Sequence, residues 1–141
     1  MTPAEIFAAF PDVAPYPKDV TGCPPEIFDI DRDFRGKSWQ DIDAKACIQH
    51  SDALLMLHPK PLKYFLPAFL VAGLEQPESV AAESLVYFVC SEAFDAITPD
   101  LDPRQRAAVI GAVETIMNAD RGYFAEQTDT FLRKLGIYGA R

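Results

Sequence analysis

The chain has 141 residues, 49% hydrophobic and 24% charged, which is one domain's worth of ordinary globular composition and excludes wholesale disorder. A net charge of −8 argues against direct nucleic-acid binding, because affinity for phosphates rests on clustered Lys and Arg. Cys23, Cys47 and Cys90 are an odd set at irregular spacing, which excludes a disulfide framework and points to a reducing cytoplasm.

The N-terminus Met1-Thr2-Pro3-Ala4-Glu5 lacks the basic run and apolar core of a signal peptide, so a cytoplasmic location is expected. The longest uncharged apolar run, Tyr64 to Leu74, is 11 residues and too short to span a bilayer, so no membrane partner is expected. Thr2-Pro3-Ala4-Glu5 opens a first helix with a capping box and a proline at its first position. Ile6, Phe7 and Phe10 give it an apolar face, and Pro11 ends it.

Residues 11–37 read as an irregular segment, since Pro11, Pro15, Pro17, Pro24 and Pro25 forbid a long helix there. Connections of that length in compact domains are often functional. Within it, Phe28-Asp29-Ile30-Asp31-Arg32-Asp33-Phe34 alternates with the period of a strand. The reading is an extended piece on the helices, with three aspartates outward, about 7 Å apart. These aspartates resemble the opening of a calcium loop, but the sixth position is Phe34 and the twelfth Gln40, where such a loop needs Gly and Glu.

A helix is predicted from Ser38-Trp39 to about His50, with Ser38 as N-cap and Asp41 in the first turn. Ser51-Asp52 restarts it toward His58. The central element is predicted over about 62–74, with apolar residues at 62, 65, 66, 69, 70 and 73 forming the stripe of a buried helix. Pro67 leaves two readings open: a helix that runs through the proline with a kink, or a separate turn over Lys60 to Phe65 with the main helix starting near Leu66 and Pro67 in its first turn. Tyr64, Phe65 and Phe69 are candidates to line a ligand cavity, although aromatics at helical spacing are usually core.

Glu78 or Ser79 begins a further helix to about Phe94. Asp102-Pro103-Arg104-Gln105 is the clearest start signal in the chain, an N-cap, an N1 proline and an N3 glutamine. That helix runs to about Asn118. A last one, Tyr123 to Leu135, faces inward with Phe124, Phe131, Leu132 and Leu135, and Gly136 is its stop. The expected fold is therefore all-α, one domain over 1–141 with five to seven helices around the buried helix.

Charge is unevenly spread. No Lys or Arg falls between Lys63 and Arg104, while Glu75, Glu78, Glu83, Glu92, Asp95, Asp100 and Asp102 do. Asp29, Asp31, Asp33, Glu75, Glu78, Glu83, Glu92 and Asp95 are thus the candidate contact set for a basic protein partner. Simple solubility is the plainer account of the same asymmetry.

Cys47 and His50 are three apart on a predicted helix, with His58 nearby, so they form the candidate chemical site as metal ligands or as nucleophile and base. No C-x-x-C or H-x-x-x-H accompanies them, and a buried cysteine beside an exposed histidine explains them without chemistry. No catalytic residue and no cofactor is read, and no phosphate loop, nucleophile elbow or dinucleotide fingerprint occurs.

Three strings occur in order: Gly36-x-x-Trp39-x-Asp41-Ile42, Tyr64-Phe65-Leu66-Pro67-Ala68-Phe69-Leu70 and Gln105-Arg106-Ala107-Ala108-Val109. Over residues 36–113 the chain resembles a family of small bacterial helical proteins of unassigned function. The resemblance implies a helical fold and brings no activity, cofactor or catalytic residue. By analogy, small acidic cytoplasmic proteins of this kind include immunity proteins that neutralise a toxin. The leading expectation is a non-enzymatic protein-binding module of that sort. The alternative is a small-molecule-binding or hydrolytic domain at Cys47, His50 and His58. The third reading is a homo-oligomer built on an exposed apolar segment.

Overall fold

The structure is a computed structural model that describes residues 1–16, 28–119 and 122–138. Pro17, Cys23, Pro24 and Pro25 lie outside the described residues. Among the described residues there are nine α-helices and no strand: α1 Pro3–Ala9, α2 Phe28–Phe34, α3 Ala44–Gln49, α4 Ala53–Met56, α5 Pro59–Glu75, α6 Val80–Val89, α7 Glu92–Ile97, α8 Pro103–Ala119 and α9 Thr128–Tyr138. The all-α class read from the sequence is what the structure shows. The number of helices is higher because several predicted elements are divided by internal caps.

α2 corrects the extended reading of 28–34. Ile30 and Phe34 are four apart, so the same two residues that fit a strand also share one face of a helix, and both are buried. Arg32 pairs back to Asp29 at 3.2 Å, and Arg35 pairs back to Asp31, each an acid placed N-terminal to its base. Asp29 and Asp31 also sit in the first turn, at the positive helix end. Gly36 then takes φ +75°, the left-handed conformation that closes a helix C-terminus and that glycine adopts without a Cβ clash.

The predicted helix from Trp39 to His50 is two pieces. Ser38 caps a short 3-10 turn, Trp39–Asp41, by accepting from the Gln40 N–H. Ile42 is extended, and Asp43 starts α3 afresh by accepting from the Ala46 N–H at 2.8 Å. The stretch from Ser79 to Phe94 divides in the same way. Ser79 caps α6, and the Ser91 hydroxyl donates to the Phe88 carbonyl at 2.6 Å where α6 gives way to α7. The Asp102 box forms as predicted: the Gln105 N–H donates to Asp102 Oδ1 at 2.7 Å, and the Asp102 N–H donates to Gln105 Oε1 at 3.1 Å.

α5 is continuous from Pro59 to Glu75, so the helix runs through Pro67 and does not start near Leu66. It contacts α1, α3, α4, α6, α8 and the Trp39–Asp41 turn. Leu62, Phe65, Leu66, Phe69 and Leu70 are buried along it, with Phe34 packed 5.1 Å from the Phe65 ring and 6.1 Å from the Phe69 ring. Gly73 lets α6 and α8 approach closely, since a Cβ there would lie 2.9 Å from Leu85 Cδ1 and 2.8 Å from Ile116 Cδ1. The opposing terms at Pro67 nearly cancel. An interior proline forfeits about 3 kcal/mol relative to alanine. Trimming its buried ring exposes roughly two methylenes' worth of packing, about 1.6 kcal/mol before any cavity term. Pro67→Ala is therefore expected to fold and to match native stability or exceed it by up to about 1 kcal/mol in denaturant melts. A new amide protected from hydrogen exchange should appear at residue 67, and a loss beyond about 1 kcal/mol would show that the ring's packing dominates.

At the C-terminal end, Gly136 does not stop the helix. It lies inside α9, exposed, with open space around its Cα, and α9 continues to Tyr138. Leu132, predicted to face inward, is 55% exposed, while Lys134 is buried.

Candidate functional site

Cys47, His50 and His58 do not form one reactive group. Cys47 is fully buried, and that burial, with the Asp43 carboxylate adding to it, pushes its thiol up to about 12, so it is not a thiolate at neutral pH. His50 corrects the expectation of an exposed histidine, being 7% exposed. Its Nε2 lies 2.6 Å from Asp33 Oδ2, and its ring stands edge-on to Phe34 at 5.6 Å. Hydrogen bonds from Arg32 and then His50 hold the Asp33 carboxyl below its ordinary range. An ionised Asp33 only accepts, so His50 donates through Nε2–H. The pair ties α2 to α3. His58 is exposed at the N-cap of α5. Among the described residues no group of three or more His, Cys, Asp or Glu side chains is placed to hold a metal ion.

The acidic candidates are dispersed. Asp29, Asp31 and Asp33 sit on α2 with Arg32 and Arg35 between and beside them, already compensated. Asp95 pairs with Lys134 at 2.7 Å, and Glu83 accepts from the Tyr123 hydroxyl at 2.7 Å. Glu75, Glu78 and Glu92 are exposed on α5, on the turn before α6 and on α7.

A different group of residues comes together around the chain after α1. Pro11 to Tyr16 has no helix and crosses α5 as a strap. Four bonds hold it. The Trp39 indole N–H donates to the Asp12 carbonyl at 2.9 Å, and the Tyr64 hydroxyl donates to the Ala14 carbonyl. The Tyr16 N–H donates to the Lys37 carbonyl at 3.1 Å, and the Gly36 N–H donates to the Tyr16 carbonyl at 2.7 Å. Tyr64 also accepts from the Trp39 backbone N–H at 3.3 Å, so its oxygen is used on both sides. The Asp12 carboxylate folds back to accept from the Ala14 N–H at 3.2 Å, a local turn that suits the prolines flanking it.

Between strap and helix lies a cavity of about 440 Å³. Its apolar wall is Phe10, Pro11, Pro15, Tyr16, Trp39, Tyr64 and Pro67, and its polar members are Asp12, Lys60, Lys63 and Gln105. That volume falls in the range of small-molecule sites, roughly 300–1,000 Å³. Aromatic contacts stiffen the wall: Phe7 stacks on Trp39 at 5.3 Å, and Tyr16 packs against Tyr64 at 5.4 Å and Phe65 at 5.7 Å. Of the three aromatics singled out in the sequence, Tyr64 lines the cavity, while Phe65 and Phe69 are fully buried core. Trp39, Lys60, Lys63 and Gln105 were not legible as a site, because three separate segments supply them. The one local signal was the density of proline and aromatic residues from Phe10 to Pro17.

The fold and the cavity together define an all-α protein with an aromatic-walled pocket at one end of its longest N-terminal-half helix. Comparison with protein-family models, curated proteins and solved structures finds no match for the chain. The likeness to small bacterial helical proteins therefore rests on the sequence strings alone. No helix among the described residues is long and apolar enough to cross a membrane.

Proposed function

We propose that the protein is a small-molecule-binding module, taking a flat, mainly apolar ligand between the strap 11–16 and α5. The observation that carries this is the cavity of about 440 Å³ walled by Tyr16, Trp39 and Tyr64 with polar side chains at few points. Tyr16 and Tyr64 are half-buried and held by packing, with the buried Trp39 behind them, so their ring faces are offered for stacking without reorganisation, which lowers the ordering cost of binding. A basic protein partner at the acidic set is the weaker reading, since Asp29, Asp31, Asp33 and Asp95 already meet cations of the chain itself.

Trp39 is the only tryptophan, so its indole N–H gives a single reporter in the wall of the cavity. Titration with 2-naphthol, followed by amide and indole proton–nitrogen spectra, is expected to shift Trp39, Tyr16, Lys63 and Gln105 most. A second cavity, between α8 and α9, is lined by Met117, Phe124 and Phe131, and shifts confined to it, or none at millimolar probe, would remove the proposal.

A further inference from the structure

We infer that the ligand of this pocket is an aromatic acid, its ring between the aromatic walls and its carboxylate held by Lys60 and Lys63; the inference rests on the pocket being a ligand site. The reason is which polar atoms remain available there. The Tyr64 hydroxyl both donates to Ala14 and accepts from Trp39, and the Trp39 indole N–H is given to Asp12. The half-buried Tyr16 and Tyr64 therefore offer ring faces, with Trp39 buried behind them, and orientation falls to the charged and amide members.

Those members are mainly donors. Lys60 and Lys63 are three apart on α5 and so lie on one side of it, and both line the cavity. Among the described residues neither is in an ion pair with a carboxylate. Gln105 spends its Oε1 on the Asp102 N–H within the helix cap, which leaves its amide NH2 at the cavity. The one opposing group is Asp12, and one of its oxygens accepts from the Ala14 N–H. In a chain of net charge −8, the pocket thus gathers two lysines against one aspartate. The site also borders the first turns of α5, where the helix dipole is positive. An acceptor-rich anion on a planar body matches this inventory, and a cation or a donor-rich sugar does not.

The test compares 2-naphthoate with 2-naphthamide, which have the same ring and nearly the same shape but differ in charge. Dissociation constants are read from the Trp39 and Gln105 resonances of the full chain, for the native protein and the Lys60→Gln/Lys63→Gln variant. Naphthoate is expected to bind about tenfold tighter than naphthamide, the margin of a charge-assisted hydrogen bond over a neutral one. The double variant should erase that margin, weakening naphthoate by about tenfold relative to naphthamide. Lys45→Gln, an exposed lysine outside the cavity, should keep the margin and so exclude a general charge effect. Equal affinities in the native protein, or a margin that survives the double variant, would overturn the aromatic-acid inference while leaving the pocket reading intact. If neither probe moves the pocket resonances, both readings fall together.

Discussion

Replacing Phe69 with alanine is expected to cost about 3–5 kcal/mol of folding stability. Phe69 is fully buried on α5, the helix against which α1, α3, α4, α6 and α8 all pack. Its ring neighbours that of Phe34, so truncation opens a void between α5 and α2 as well as removing transfer energy. Domains of this size are stable by only about 5–15 kcal/mol, so this single change removes about a fifth of the total at the least. Urea melts should show a lower midpoint with an unchanged slope, the mark of lost stability without a changed denatured state. Phe69→Leu should recover more than half of the loss, because leucine refills most of the space that alanine leaves empty. A cost under about 1 kcal/mol would mean that this stretch of α5 is not core.

The same helix shows what could be read from the chain. Its stripe was legible because the large apolar residues Leu62, Phe65, Leu66, Phe69 and Leu70 fall on a 3.6-residue period, and the Asp102 box because a cap is local chemistry. The errors share a physical cause, which is competition between local signals. Ile30 and Phe34 satisfy both a strand and a helix, and only the Asp29–Arg32 and Asp31–Arg35 pairs separate the two. Asp43 and Ser91 were read as helix interior, yet each side chain offers the backbone a bond that divides the helix there. Gly136 was read as a stop, but with open space around it the chain carries helix through at only the ordinary cost of a helical glycine. The pocket was least legible, since Tyr16, Trp39, Lys60 and Gln105 meet only once the strap has been folded over α5. Lys134 was missed for a simpler reason: apolar periodicity does not register a charged residue that turns inward with a partner waiting.

That buried lysine carries the second large effect. Lys134 on α9 has a side chain 3% exposed, with its Nζ 2.7 Å from Asp95 Oδ1, 3.2 Å from the Ser91 carbonyl and 5.8 Å from the centre of the Phe94 ring. Asp95 is 43% exposed and also accepts from the Tyr138 hydroxyl at 3.0 Å. The two partners are thus unequally buried, and the consequences of losing each should be unequal. Asp95→Asn keeps the shape but strands an ammonium that water reaches poorly. Breaking a buried pair costs about 3–5 kcal/mol, and the partial exposure of Asp95 brings the expected loss to about 2–3 kcal/mol. Lys134→Met leaves a carboxylate that can be hydrated, keeps an apolar stem in the core, and should cost about 1 kcal/mol or less. The double variant should be more stable than Asp95→Asn alone, which a mutant cycle reads directly as coupling. Acidification adds an independent check. Partial burial by itself raises the Asp95 carboxyl, but the bonds from Lys134 and Tyr138 outweigh it and hold the group below its ordinary value. A carboxyl depressed in the folded state stabilises above its unfolded value of about 3.9, and that contribution fades as pH falls below it. Stability should therefore drop below about pH 4 in the native protein and drop less in Asp95→Asn/Lys134→Met, with Asp33 supplying the part that remains. If Lys134→Met instead proves more damaging than Asp95→Asn, the ammonium's contacts with the Ser91 carbonyl and the Phe94 ring, and not the cost of stranding its charge, fasten α9 to α7.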